Sequence, residues 1–86
     1  MSLISDNVIP GNHGKVFGTD AQEHVDLERI KKSILEIEGI TDVVMNEDVF
    51  PREFTVYTSK MVTVDDVEKR VIKHGFHAIP KELFLI

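Results

Sequence analysis

Leu27-Glu28-Arg29-Ile30-Lys31-Lys32-Ser33-Ile34-Leu35-Glu36-Ile37-Glu38-Gly39-Ile40 is the stretch on which the architecture turns. Leu27, Ile30, Ile34 and Ile37 are spaced 3, 4 and 3 apart, which places them on one face of a 3.6-residue repeat and predicts an amphipathic helix. Glu28, Arg29, Lys31, Lys32 and Glu36 fill the opposite side. Asp20, followed three residues later by Glu23, reads as an N-cap with its capping-box partner. Gly39 reads as the left-handed residue that closes the helix.

On the N-terminal side of this helix, Lys15-Val16-Phe17-Gly18-Thr19 is a short strand candidate, weakened by Gly18. Residues 1–14 are rich in turn chemistry (Asp6-Asn7, Pro10-Gly11-Asn12, His13-Gly14), interrupted by Leu3-Ile4 and Val8-Ile9, and read as a weakly ordered lead-in. On the other side, Ile40 to Asn46 reads as a strand and Glu47 to Arg52 as a turn. Glu53 to Thr58 alternates with period two and completes a hairpin. Thr63 opens a second helix with Asp65 and Asp66 in its first turn. Val64, Val67 and Val71 form its apolar face, and Gly75 ends it. The apolar run Leu83-Phe84-Leu85-Ile86, after Pro80, supplies a final strand. The order strand, helix, strand, strand, helix, strand predicts an α+β, ferredoxin-like βαββαβ sandwich over residues 15–86, with both helices on one face of a four-stranded antiparallel sheet.

Eighty-six residues are enough for one domain with one modest core. Apolar content of 42% and charged content of 29% are those of an ordinary globular chain. No run approaches the ~20 apolar residues of a membrane span, and the first ten residues lack the features of a signal peptide, so the expected location is cytoplasmic. The net charge of −5 argues against a nucleic-acid partner. The acid is uneven: residues 1–59 hold 11 acids against 5 bases, residues 60–86 hold 4 against 5. A negative first half suits a basic partner surface or a cation, or is simply a solvated face. Zero cysteines remove disulfides, thiolate metal sites and cysteine nucleophiles.

The helix stretch quoted above resembles the first helix and exit of heavy-metal-associated domains, the small modules found as copper chaperones and as extensions of metal-transporting ATPases. Tyr57-Thr58-Ser59-Lys60-Met61-Val62-Thr63-Val64-Asp65-Asp66-Val67 is similar to their third strand and second-helix start, and Val71-Ile72-Lys73-His74-Gly75-Phe76-His77-Ala78 to their second-helix exit. The resemblance covers about residues 16–79, with a hairpin one residue longer near Pro51. It implies the same fold. The family's Met-x-Cys-x-x-Cys metal loop, counted back from Gly39, falls with its methionine at Ala21 and its two cysteines at Glu23 and Asp26. Both thiols are missing, and monovalent copper demands soft ligands. Met45 and Met61 do not replace them, one being in a strand and the other before the second helix. The resemblance therefore implies the fold and a metal-related or partner-docking role in altered form, with copper(I) not expected.

The implied topology gathers Glu23, His24, Asp26, Asp48 and His77 at one end. Glu23, Asp26, His24 and His77 are thus candidate ligands of a weak, open site for zinc or another divalent cation. The competing reading of Asp20, Glu23 and Asp26 is that acids stabilise a helix N-terminus without any ligand, and of the two histidines that they are simply exposed. No nucleophile–base pattern, phosphate loop or paired buried acids point to catalysis. A chain this small offers little room for a closed pocket of ~300 Å³ or more, so no enzyme is expected. Phe17, Phe50, Phe54, Phe76 and Phe84 read as core. Two functions stand: a heavy-metal-associated-type module that lost its cysteine pair, partnered with a metal-transport protein or another protein domain, and a ferredoxin-like regulatory or interaction domain that binds no metal.

Overall fold

The computed structural model describes residues 8–81. Eight elements follow in order: β1 (Val8–Ile9), β2 (Gly14–Thr19), α1 (His24–Leu35), β3 (Ile40–Asn46), β4 (Glu53–Thr58), β5 (Val62–Thr63), α2 (Val64–Lys73) and β6 (Ala78–Pro80). Four strands form one sheet in the order β3-β4-β2-β6, every neighbour antiparallel. α1 packs on β3, α2 on β6, and the helices on each other. This is the α+β, ferredoxin-like arrangement expected from the alternation of patterns.

The core lies between the helix pair and the sheet. Leu27, Ile30 and Ile34 of α1 and Val64, Val67 and Val71 of α2 are buried against Phe17, Val43, Phe54 and Val56 of the sheet. Phe17 and Phe54 stand opposite each other in the β2–β4 register and stack with ring centroids 5.2 Å apart. Phe76 is half-buried against this core, whereas Phe50 is 74% exposed in the hairpin turn. The expectation of a core role thus fails for Phe50, which lies in the turn between β3 and β4, outside the paired strands whose inward residues form the core. Phe84 lies outside the described residues.

Two boundaries away from the start of α1 differ from the sequence expectations. Residues 8–13, read as lead-in, are tied down: Val8 and Ile9 pair with Thr63 and Val62, and Ile9 is a core residue at 1% exposure. The turn that follows is held by Asn12 N–H donating to the Thr58 carbonyl at 2.8 Å and the Thr58 hydroxyl donating to the Pro10 carbonyl at 2.6 Å. The last described strand is Ala78–Pro80; the run Leu83 to Ile86, expected as a final strand, lies outside the described residues. Finally, α1 ends at Leu35 with Glu36 as its C-cap. Gly39, at φ +100°, instead turns the chain into β3, where a Cβ would sit 3.0 Å from Val62 Cγ2.

α2 follows its sequence signals closely. The Thr63 hydroxyl accepts from Asp66 N–H at 3.2 Å, satisfying one orphan donor. At the other end Gly75 takes φ +88° and donates to the Ile72 carbonyl, while Phe76 N–H reaches back to Val71. That is the paired bonding of a Schellman closure.

Candidate functional site

The C-terminal end of β2, the start of α1, the β3–β4 turn and the α2–β6 loop meet at one end of the sandwich. Backbone and side-chain bonds knit them together. Thr19 N–H donates to the Arg52 carbonyl at 2.9 Å, joining β2 to the hairpin. The Thr19 hydroxyl donates to the His77 carbonyl at 2.7 Å, and the Asp20 carboxylate accepts from His77 N–H at 2.8 Å. Asp20 is therefore not the helix N-cap that the Asp-x-x-Glu spacing predicts. The N-cap is Glu23, in extended backbone and with no side-chain capping bond. The physical reason is tertiary: Ala21 is pulled fully into the core, which delays the helix and turns Asp20 toward a loop amide that needs an acceptor.

His24, the first residue of α1, is exposed, and its Nδ1 lies 2.8 Å from Glu47 Oε2 in the hairpin turn. The hydrogen bond to Glu47, followed by the charge of the same carboxylate, raises the His24 pKa above the usual imidazole value. Glu23, Asp48 and His77 are exposed, and Asp26 is half-buried in the first turn of α1. At this end His24 is committed to Glu47, and Asp20 to the backbone of His77. Among the described residues, no three of His, Cys, Asp or Glu are placed to hold a metal ion.

Beside this end runs an open groove of about 480 Å³, lined by Gly18, Asp20, Pro51, Glu53, His77 and Ile79 among others. A Cβ at Gly18 would meet nothing within 4 Å, so its side faces open space. Lys81 and Glu53 pair at 2.6 Å along its margin. The volume exceeds what the sequence suggests for so small a chain, but the groove is open to solvent rather than closed.

A second feature is one that sequence reading missed. Arg29, Lys32 and Glu36 of α1 and Arg70, Lys73 and His74 at the end of α2 line a groove of about 290 Å³ between the helices. Arg70 donates to the Ser33 carbonyl at 3.2 Å and to Glu36 at 2.9 Å, bridging the two helices. The sequence holds a trace of it, since the bases recur three apart on both helices. Periodicity alone does not say which face of α2 meets α1.

The fold is the one adopted by heavy-metal-associated domains. The chain is similar in structure to the apo heavy-metal-associated domain of the copper chaperone for superoxide dismutase (TM-score 0.65, 17% identity, covering 80% of this chain and 66% of that one). It is also similar to the yeast copper transporter domain Ccc2a, studied in its apo and copper(I)-loaded states (TM-score 0.70, 14% identity, covering 80% and 94%). A third match is the copper(I)-loaded first domain of the human copper chaperone CCS (TM-score 0.67, 17% identity, covering 83% and 94%). No protein-family model matches the sequence, and no curated protein matches it. At these identities the likeness is one of fold. Among the described residues, no helix is long and apolar enough to cross a membrane.

Proposed function

We propose that this chain is a small, non-catalytic protein-docking module of the heavy-metal-associated type that does not carry copper(I). The observation that carries the reading is chemical: on a fold shared with copper chaperone and transporter domains, the chain has no cysteine. Counted back from Gly39, Glu23 and Asp26 fall at the positions where the resembling family keeps its thiols. Carboxylates are hard ligands and copper(I) is a soft ion, so this substitution removes affinity for it. The thioethers do not compensate. Met45 is half-buried against the core, and Met61 is 68% exposed beside β5, at the opposite end of the sandwich. What remains is a charged scaffold suited to contact with a metal-transport protein or another protein domain.

Equilibrating tag-free protein with copper(I) and a competing thiolate chelator, then measuring copper per chain, tests the reading. The expected result is no retained copper; one equivalent per chain would overturn it.

A second reading keeps a weak zinc site at Glu23, Asp26, His24 and His77. In its favour, the bond from His77 N–H to the Asp20 carboxylate ties the loop that carries His77 to the segment leading into Glu23, His24 and Asp26. Its check is a zinc titration followed by NMR, in which His24, His77 and residues 20–26 shift together. Glu23→Gln combined with Asp26→Asn should then abolish the shifts. Unmoved resonances at millimolar zinc would leave docking as the whole function.

A further inference from the structure

The chain carries a net charge of −5, yet four of its ten basic residues line one groove that contains a single carboxylate. Arg29 and Lys32 form one wall on α1, and Arg70 and Lys73 the other on α2. Among the described residues, Arg29, Lys32 and Lys73 make no ion pair, so only Arg70 is neutralised, by Glu36. Helix-dipole compensation accounts for part of this, since Lys32 lies in the last turn of α1 and Arg70 and Lys73 in the last turn of α2. It does not account for Arg29 in mid-helix, nor for the convergence of both basic rows on one depression.

We infer that the groove between α1 and α2 is the docking site for an acidic, extended peptide segment of a partner protein. This deepens the docking reading above and rests on it. Charge complementarity selects the ligand class. Two rows of cations face each other across the groove, so carboxylates staggered along one chain reach both walls. Glu36, in the lining, repels a compact anion centred there, while a chain can place its acids on either side. Arg70 is pre-oriented by its bond to the Ser33 carbonyl, and its guanidinium has further N–H donors to offer. Nucleic acid is the poorer fit, because the chain as a whole is acidic and would repel a long phosphate backbone.

The test is an NMR titration of the whole chain at low ionic strength with an oligoglutamate peptide, with an oligolysine peptide and inorganic phosphate as separate arms. Oligoglutamate is expected to shift the amides of Arg29, Lys32, Ser33, Lys73 and His74, and the shifts should fade at about 0.5 M salt, where the Debye length falls to ~4 Å. The double variant Lys32→Glu/Lys73→Glu should weaken binding about tenfold or more, since charge reversal turns attraction into repulsion. Both positions are exposed, and an unchanged circular dichroism melt confirms that the fold survives. The proposal falls if oligoglutamate shifts nothing or shifts another surface. It falls equally if the double variant binds as wild type does, or if phosphate or oligolysine reproduces the response. Copper retention tests the module reading separately: a chain that holds no copper and ignores oligoglutamate loses only the groove.

Discussion

Thr19 and Asp20 show how single side chains fix the geometry of the loop end. Between them they satisfy both backbone groups of His77, so the loop after α2 is pinned to the end of β2. His24 is fixed differently, through Glu47. With its pKa raised by that carboxylate, the sign of its contribution to stability follows. The contact is fully present below the ordinary imidazole value of about 6.5 and is lost as pH rises through the higher folded-state value. His24 is well exposed and Glu47 partly so, and solvent screening keeps the effect small. Following the His24 ring resonances against pH should give a midpoint above the usual histidine value, and Glu47→Gln should return it toward that value. An identical midpoint in wild type and variant would show that the contact does not persist in solution.

At the scale of elements, the two helices obey their sequence signals to different degrees. α2 is capped by Thr63 and closed by Gly75, both local devices that need no help from the rest of the fold. Thr63→Ala should cost about 0.5–2 kcal/mol on urea melts, because the Asp66 amide loses its acceptor. α1 carries an equally good capping-box spacing, yet Asp20 serves the α2–β6 loop instead. Its apolar face was nonetheless readable, and Ile34, fully buried in the helix–sheet core, is the sharpest probe of it. Ile34→Ala should cost about 2–5 kcal/mol through lost burial and the cavity left behind. A loss below about 1 kcal/mol would contradict the packing of that face.

For the molecule as a whole, the small β1–β5 ladder brings residues 8–13 into the folded unit. Ile9 joins the same core as Val62, Val64 and Val67, so residues 8–13 are part of the fold rather than an appendage to it. Ile9→Ala should destabilise by about 2–5 kcal/mol, a large share of the ~4–13 kcal/mol expected for a chain this long. A neutral result would return this segment to the status of a lead-in.

The order of the two helices and of the three strands within residues 14–58, the inward faces of both helices and the strand pairing of residues 40–58 were legible in the sequence, because hydrophobic period and turn chemistry are local properties of the chain. So was the loss of soft-metal chemistry, which depends only on residue type: no arrangement of carboxylates becomes a thiolate. The structure alone decided the rest. Val8-Ile9 carries no period long enough to announce a strand and becomes one by pairing with residues more than fifty positions away. Asp20 could satisfy either a helix end or a loop amide, and the burial of Ala21 settled which. Arg29 and Lys32 looked like the solvated side of one helix until α2 brought Arg70 and Lys73 beside them. Charge patterns along a chain are local, whereas a binding surface is the sum of charges that packing brings together.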